Sequence, residues 1–390
     1  MNITVRENPT NPSEQYLLGE KYYESGNYDR AVYWYKKAAK RGFAKAQAGL
    51  GFCFFNGKGV NQDYKKAVEW YKKAALKGNV YAQYNLGSCY ENGNGTGKDC
   101  EQAVYWYEQA AEQGDLDAQI LLAFYYANGE GSAKDLDKTV RDEKALYWYQ
   151  KAAEQGDIYA QYFLGNCYYY GEKTAQDYNK AIYSYKKVAE QGEAAAMCIL
   201  GKIYKDGDNL RCQGELHDKE QSVYWYEKAA ALGDADAQYE MGCFFDYGFG
   251  VIANHKNALY WYHKAAEQGH AEARILLADY YYNGESFKQD YSKAVYWYEK
   301  AAAQGSDKAQ CLLARCYDEG KGVERDSAKA AYWYEKAAAQ GSDKAQYLLG
   351  LRYKNGEGVK RDKRYAKYWF FMSAEQGNED AKEELKKYFW

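Results

Sequence analysis

The stretch "AVYWYEQAAEQGD", residues 103–115, places a tryptophan between two tyrosines and ends on Gly-Asp. It returns as "ALYWYQKAAEQGD" from residue 145, as "ALYWYHKAAEQGH" from residue 258 and as "AVYWYEKAAAQGS" from residue 294. Chemistry usually needs its residues once, whereas a motif that recurs at a fixed spacing is a structural unit. The recurrence therefore predicts a chain built from stacked copies of one short motif.

Two series of residues set the length of that motif. Tryptophan recurs every 36 residues, with longer steps from Trp106 to Trp148 and from Ser184 to Trp225. The tryptophan position is occupied by Trp34, Trp70, Trp106, Trp148, Ser184, Trp225, Trp261, Trp297, Trp333 and Trp369. An alanine follows the same steps at Ala46, Ala82, Ala118, Ala160, Ala196, Ala237, Ala273, Ala309, Ala345 and Ala381. Because the two series agree, we expect ten copies.

Each copy has the pattern of two amphipathic helices. In residues 44–79, Leu50 and Cys53 share a helical face with Ala46 at about 100° per residue, and we name this segment helix A. The sequence "NGKG" ends it, and Asp63 is placed to cap a second segment, helix B, whose apolar face contains the tryptophan. The same capping place holds Asp99, Asp177, Asp218, Asp290, Asp326 and Asp362. Both prolines, Pro9 and Pro12, are expected to precede the first helix, which leaves the helix interiors free of proline.

Charge and hydropathy exclude several classes of partner. The net charge of -3 lacks the basic excess that phosphate neutralisation requires, so we expect no nucleic-acid partner. No run of about 18 apolar residues occurs, and the first residues lack the pattern of a signal peptide. The sequence therefore predicts a cytoplasmic protein with no membrane insertion, and we expect a monomer.

The cysteines follow the repeat and predict reduced structural thiols. Of the nine in the chain, four fall at one repeat position, which other copies fill with Tyr or Ile. The residues at this position include Cys53, Cys89, Tyr125, Cys167, Ile203 and Cys316. A position that accepts all three residue types is used for packing.

No pattern of residues points to catalysis, to a metal or to a cofactor. The four histidines, His217, His255, His263 and His270, have no His-Glu-x-x-His or Cys-x-x-Cys neighbourhood, and we expect His263 and His270 on the surface. The Gly-x-Gly pairs recur in most copies and join helix to helix, so they are interpreted as turns rather than phosphate loops. The sequence predicts no catalytic, metal-binding or cofactor-binding residues, and hence a protein that is not an enzyme.

The segment "AQYNLGSCYENGNG" (82–95) followed by "DCEQAVYWYEQAAEQG" (99–114) resembles the Sel-1-like repeat, a relative of the tetratricopeptide repeat. The match is good at 309–341 and 345–377. The resemblance implies an all-α fold, a right-handed α/α superhelical solenoid of ten helix-turn-helix repeats plus a C-terminal capping helix. The expected organisation is an N-terminal tail at 1–12, a tetratricopeptide-like capping repeat at 13–43, nine Sel-1-like repeats at 44–378 and the capping helix at 379–390.

Three departures from the family pattern carry expectations of their own. The first copy lacks the Gly-x-Gly-Val loop, and Ser184 replaces tryptophan in the fifth, which predicts a weaker interface there. The long steps place insertions at 128–145 and 206–222, predicted as loops that are either functional or simple spacers. Disulfide-rich secreted relatives carry a cysteine at the second alanine of Lys-Ala-Ala; its absence here favours the cytoplasm.

The face of helix A opposite the alanine lines the concave surface, as the resemblance implies. It is aromatic in the second to fifth copies, then acidic, then of mixed charge. The candidate partner-binding residues are Phe52, Phe55, Tyr81, Tyr84, Phe124, Tyr159, Tyr162, Asn166, Tyr169, Tyr239, Asp246, Asp279, Tyr282 and Arg315. The alternative is that part of this face packs on the next helix A. The tyrosines that precede the tryptophans, such as Tyr105, either form a second binding stripe or stack from copy to copy.

Two functions use this same surface. The first is a non-catalytic scaffold or adaptor that holds a peptide or protein partner, since exposed aromatic residues dominate the energy of interfaces. The alternative is a dedicated inhibitor, for example an immunity-type protein that occludes one toxin or enzyme. The residues do not identify the partner.

Overall fold

The computed structural model describes residues 9–130, 134, 136–207, 218–284 and 288–387. Over these residues the chain forms twenty-one α-helices and no strand, as the all-α prediction required. The chain divides into two compact units, Met1–Gln191 and Gly192–Trp390.

The first unit holds ten helices, which alternate between helix A and helix B of successive repeats. Their bounds are α1 Pro12–Glu24, α2 Tyr28–Lys40, α3 Ala44–Asn56, α4 Tyr64–Ala75, α5 Val80–Asn92, α6 Cys100–Glu112, α7 Leu116–Asn128, α8 Lys138–Glu154, α9 Ile158–Tyr170 and α10 Tyr178–Glu190. Each helix A packs on the helix B that follows it. The predicted helix-turn-helix repeat is therefore confirmed.

The second unit continues the same alternation and ends on a single helix. Its bounds are α11 Ala194–Lys205, α12 Lys219–Ala231, α13 Ala235–Tyr247, α14 His255–Glu267, α15 Ala271–Asn283, α16 Tyr291–Ala303, α17 Asp307–Glu319, α18 Ser327–Ala339, α19 Asp343–Asn355, α20 Lys363–Glu375 and α21 Glu379–Lys386. The last helix, α21, packs on α20 in the place of a further repeat.

The helix ends are set by the residues that the repeat pattern singled out. Asp63 Oδ1 accepts from the backbone N–H of Lys66 at 3.0 Å and so begins α4. Gly57 ends α3 in the left-handed region, at φ 68°, where a side chain would be strained. The same aspartate cap begins helix B at Asp99, Asp177, Asp218, Asp290, Asp326 and Asp362.

Two boundary predictions were wrong. Pro12 is the first residue of α1 rather than part of a tail, because proline has no N–H to lose at this helical position and Asn11 supplies the cap. The insertion at 128–145 is not wholly a loop, since α8 begins at Lys138 and its extra turn takes up the last part of the insertion. In the second insertion, residues 208–217 lie outside the described residues.

The ring that follows each tryptophan of the repeat, a tyrosine except for Phe370, lies deeper in the core than the tryptophan itself. Trp148 retains 6% of its exposure, and Tyr149 retains 1%. The ring of Tyr71 rests on Gly51, where an added Cβ would come within 2.6 Å of the ring carbons. The Leu-Gly step of helix A is therefore explained by close packing, because glycine admits the tyrosine ring of the following helix B.

A ladder of paired glutamines, one of each pair buried, joins neighbouring repeats. Gln119 Nε2 donates to the carbonyl of Ala111 in the preceding repeat, at 2.9 Å. Gln155, at the end of helix B, donates to Gln119 Oε1 at 2.8 Å and to the carbonyl of Gly114 at 3.1 Å. The pair satisfies carbonyls that the end of a helix leaves without an intrahelical partner. The sequence analysis did not single out these glutamines.

The cysteines of the described residues are all free thiols. Cys53 and Cys316 are fully buried at one repeat position, as predicted. Burial, with a smaller contribution from Glu20, raises the pKa of Cys53 to about 12, and burial raises that of Cys316 to about 11. The thiols are therefore protonated packing residues.

Candidate protein-binding surface

In the first unit, aromatic rings stand on the face of helix A that the sequence predicted to be free. Tyr81, Phe124 and Tyr159 are 45%, 40% and 54% exposed. We name these three, with Phe52, Tyr84 and Tyr162, the aromatic helix-A surface. Exposed rings of this size are costly to hydrate and are common at protein interfaces.

A pocket of about 410 Å³ lies at the N-terminal end of this surface, among α1, α3 and the start of α5. The rings of Tyr23 and Phe52 lie 6.0 Å apart, and those of Phe52 and Tyr81 lie 6.3 Å apart. Glu20 and Lys45 also line it, so it offers both charges beside apolar rings. The pocket could receive an apolar side chain of a partner together with a polar backbone.

Four residues of the surface also contact the core. The Tyr84 ring lies 5.5 Å from that of buried Tyr107, and the Tyr162 ring lies 5.8 Å from that of buried Tyr185. The Tyr81 and Tyr159 rings lie 6.4 and 6.1 Å from those of buried Tyr71 and Tyr149. The alternative that part of this face packs inside the protein therefore holds for these four residues in part.

The candidates nine residues after the repeat alanine lie beside the turn between the two helices. Phe55, Tyr169 and Tyr282 each rest against the first residue of the following helix B, with centroid distances of 5.0, 5.7 and 5.2 Å. They support the turn, and all three are partly exposed.

Two polar candidates, Asn166 and Asp279, accept hydrogen bonds from tyrosines of their own chain. Asn166 Oδ1 accepts from the Tyr185 hydroxyl at 2.7 Å, and Asp279 accepts from the Tyr298 hydroxyl. These tyrosines are the buried ones that follow the tryptophan position. Asn166 and Asp279 thus satisfy core hydroxyls, and their part in partner binding stays a prediction.

Asp246 is the most heavily used of the acceptors. It accepts from the hydroxyl of Tyr262 at 3.3 Å and from that of Tyr280, and it lies 2.9 Å from His255 Nδ1. Its carboxylate is therefore engaged by the side chains around it.

The buried tyrosine of helix B donates its hydroxyl hydrogen bond to a side chain of helix A. That acceptor stands at one of two positions, six or nine residues after the repeat alanine. Glu91 accepts from Tyr107 at 2.7 Å, and Glu20 accepts from Tyr35. Sequence reasoning missed this role, although a signal was present. A carboxylate or amide stands six or nine residues after the alanine in many repeats.

The second repeat lacks such an acceptor. Phe52 and Phe55 occupy both places, and the hydroxyl of Tyr71 is buried without a hydrogen bond of good geometry, beside the hydroxyl of Tyr81. Burial, then the neighbouring hydroxyl of Tyr81, raises the pKa of Tyr71. The hydroxyl is therefore neutral and poorly satisfied beneath the aromatic helix-A surface.

In the second unit, two candidates are brought together. The Arg315 guanidinium lies 4.9 Å from the centroid of the Tyr282 ring, and Lys321 lies 5.1 Å from it. Tyr282 donates to Glu319 at 2.7 Å. This cluster is polar and charged, unlike the surface of the first unit. A further candidate, Tyr239, stacks on His270 with centroids 4.4 Å apart.

His270 is not the surface residue that the sequence predicted. Its Nδ1 accepts from the backbone N–H of Ala273 at 3.1 Å and so caps α15. Most other repeats have Asp, Asn or Ser at this place, which explains why a histidine here is partly buried.

The tyrosines that precede the tryptophans lie on the exposed side of helix B. Tyr105 and Tyr147 stand edge-on to the tryptophan that follows each, with centroids 5.0 and 4.8 Å apart. Each ring therefore contacts its own repeat, rather than showing the copy-to-copy stacking that was the alternative to a binding stripe.

No helix in the part of the chain that the structure describes is long and apolar enough to cross a membrane. The same residues contain no group of three His, Cys, Asp or Glu side chains that could hold a metal ion.

Paired helices, a glycine-tyrosine core and a glutamine ladder define a helical repeat protein of the solenoid class. A model of the Sel1 repeat matches ten consecutive segments, at 15–43, 44–79, 80–115, 116–157, 158–193, 194–234, 235–270, 271–306, 307–342 and 343–378. The chain belongs to the Sel1 repeat family. The match includes the first copy, which lacks the family's loop.

Two solved structures are similar over nearly the whole chain. The first is c5321, a protective antigen present in uropathogenic Escherichia coli strains and displaying an SLR fold; it is 34% identical, with a TM-score of 0.55, over 96% of this chain and 87% of that one. The second, a Sel1 repeat protein from Oxalobacter formigenes, is 30% identical, with a TM-score of 0.62, over 90% of this chain and 98% of that one. Comparison with curated proteins gives no match. Sel1 repeat proteins generally mediate protein–protein interaction.

Proposed function

We propose that this chain is a non-catalytic interaction scaffold that binds a peptide or protein partner on the aromatic helix-A surface. The observation that carries the proposal is the exposure of Tyr81, Phe124 and Tyr159 on one face of the first unit. Rings of this kind supply large contact areas and act as anchors in interfaces.

The unsatisfied hydroxyl of Tyr71 supports the proposal. A buried hydroxyl without a partner costs about 1–3 kcal/mol, and several other repeats avoid the cost with a carboxylate or an amide. The second repeat has Phe52 and Phe55 instead. The second repeat thus has phenylalanine rings at its surface at the cost of some stability. Such a cost is expected where the rings are needed for binding.

The experiment compares two sets of three tyrosine or phenylalanine truncations in the same unit. The surface variant changes Tyr81, Phe124 and Tyr159 to Ala, and spares Tyr84 and Tyr162 because those rings are less exposed. The control variant changes Tyr33, Tyr105 and Tyr147 to Ala, which removes three similarly exposed rings from helix B. Both variants should keep the helicity of the wild type.

Partners are captured from a lysate of the source organism and then measured by titration calorimetry. Because an interface anchor contributes about 2 kcal/mol or more, the surface variant should bind at least about tenfold more weakly than the wild type. The control variant should bind as the wild type does. Equal binding by the surface variant and the wild type would refute the proposed site.

The same capture separates a scaffold from a dedicated inhibitor. A scaffold binds several partners that can be bound together, whereas an inhibitor binds one enzyme or toxin and abolishes its activity. We propose the scaffold, since the surface runs over several repeats of the first unit; a single partner that loses its activity on binding would favour the inhibitor.

A further inference from the structure

The fifth repeat has Ser184 in place of the tryptophan, but the residues that surround the tryptophan in other repeats are still present around Ser184. Elsewhere the tryptophan of one repeat packs beside the helix B of the repeat before it. In the fifth repeat, the alanine that ends the preceding helix B, Ala153, is partly exposed, whereas its counterparts Ala111 and Ala302 are 1% and 2% exposed. Leu164 beneath it retains 6% exposure, and its counterpart Leu313 retains none. The missing indole therefore uncovers apolar surface.

A pocket of about 850 Å³ occupies this place, between α8 and α10 and above α9. A matching pocket in the eighth repeat, where Trp297 is present, has about 480 Å³. The two are lined from the same repeat positions, since Gln150, Tyr168 and Lys187 in the first correspond to His263, Tyr281 and Lys300 in the second. We name this enlarged pocket the Ser184 pocket. Its lining comes from the positions that surround a tryptophan indole in other repeats, but it contains no indole of its own.

The chemistry of the Ser184 pocket suits a neutral aromatic ring. Ala153, Leu164 and the ring of Tyr168 supply apolar contact, and the charges of its rim are balanced between two lysines and two glutamates. Lys187 lies 3.8 Å from Glu190. The pocket therefore favours neither an anion nor a cation.

Lys187 also occupies the place from which other repeats contact their tryptophan. The equivalent ammonium of Lys73 lies 4.4 Å from the centroid of the Trp70 ring, and that of Lys37 lies 4.8 Å from the Trp34 ring. A ring that enters the Ser184 pocket would meet Lys187 in the same way and gain a cation–π contact.

We propose that the Ser184 pocket receives one aromatic side chain of a partner protein, above all a tryptophan, in the place that the other nine repeats fill with their own. The proposal rests on the proposed function, since it adds a second point of contact for a protein partner. The occupant is inferred from the repeats themselves, which show the group that fits these surroundings. Cavities lined by apolar groups bind rings of matching shape.

The test uses N-acetyl-tryptophanamide as the probe and measures its binding by saturation-transfer NMR and by the shift in Tm. The wild type should bind the probe in the millimolar range and gain thermal stability. Ser184→Trp fills the pocket and should weaken probe binding at least tenfold. Ser292→Trp, the same change at an exposed serine of α16, is the matched control and should bind as the wild type does.

Further arms identify the site and the occupant. Ser184→Phe fills the pocket with a smaller ring and replaces the tryptophan variant if that variant loses helicity. N-acetyl-leucinamide should bind at least tenfold more weakly than the tryptophan probe. Free indole tests for a small-molecule site, because binding of indole without binding of the amide would contradict a partner side chain.

Failure of this inference is distinct from failure of the proposed function. Absence of probe binding to the wild type, or equal binding by Ser184→Trp, overturns the inference and leaves the aromatic helix-A surface untouched. The variant of Tyr81, Phe124 and Tyr159 should bind the probe normally. Loss of the probe in that variant would place it on the helix-A surface and would also overturn the Ser184 pocket.

Discussion

The second and eighth repeats solve the same packing problem in different ways. Tyr71 and Tyr298 are equivalent and fully buried, but the Tyr298 hydroxyl bonds to Asp279, whereas the Tyr71 hydroxyl has no hydrogen bond of good geometry. The second repeat has Phe52 and Phe55 where an acceptor would stand. The difference teaches that the fold needs the buried ring in both repeats but needs the acceptor less. The helix A residues above the buried ring, Phe52 and Phe55 in the second repeat, are therefore free to serve another purpose.

The largest effect should come from removing the buried ring itself. Tyr71→Ala and Tyr298→Ala should each lower the free energy of unfolding by about 3–5 kcal/mol, because each leaves a cavity of ring size between two helices. Urea denaturation followed by circular dichroism measures the loss. Similar losses in both would show that the ring contributes alike; a loss below about 1 kcal/mol in either would contradict its place in the core.

The glycine beneath the ring should come next. Gly51→Ala puts a Cβ 2.6 Å from the Tyr71 ring and should cost about 1–3 kcal/mol through overpacking. The eighth repeat has Ala278 at this position, so its ring is already accommodated. Ala278→Gly should cost about 1 kcal/mol from helix propensity. A Gly51→Ala protein as stable as the wild type would show that the ring moves aside freely.

Removal of the hydroxyl alone separates the two repeats most sharply. Tyr298→Phe should cost about 1.5 kcal/mol, since it breaks a hydrogen bond to a carboxylate and leaves Asp279 with one acceptor site unfilled. Tyr71→Phe should be neutral or stabilising by up to about 1 kcal/mol, because it removes an unsatisfied buried donor. The measurement is the urea midpoint of each variant against the wild type. Equal losses in the two would mean that Tyr71 has a partner after all.

Much of this architecture could be predicted from the sequence. The spacing of tryptophan and alanine fixed the helix pairs, and aspartates such as Asp63 marked where each helix B begins. These predictions succeed because capping and amphipathic periodicity act within a few residues of one another. The family resemblance added the solenoid class, which the Sel1 repeat match confirms.

The contents of the candidate site were less accessible. Helical phase showed that Asn166 and Asp279 leave the apolar face, but not that a tyrosine some twenty residues later reaches back to bond to them. The enlargement around Ser184 depends on side chains from three helices, and the sequence indicated only a weaker interface. Both features arise from contacts between helices, which a pattern along one helix does not encode.

The smallest expected change in stability concerns a second poorly satisfied polar group of the second repeat, the side-chain oxygen of Gln47. Lys77 stands where other repeats end helix B with glutamine, and Gln47 Oε1 is buried without a hydrogen bond. Lys77 Nζ already donates to the carbonyl of Gly42. Lys77→Gln should keep that bond and add one to Gln47 Oε1, as Gln155 does with its own two acceptors.

The expected gain from Lys77→Gln is about 0.5–1.5 kcal/mol of unfolding free energy, the net value of one satisfied buried group. Lys72→Gln, the same change at an exposed lysine in the last turn of α4, is the matched control and should leave the urea midpoint unchanged. If Lys77→Gln and Tyr71→Phe share no partner, their gains should add in the double variant. In that double variant both poorly satisfied polar groups of the second repeat would be removed or satisfied, while Phe52 and Phe55 remain. We expect its affinity for a partner to be unchanged. That result would show that binding depends on the exposed rings and not on the lower stability beneath them.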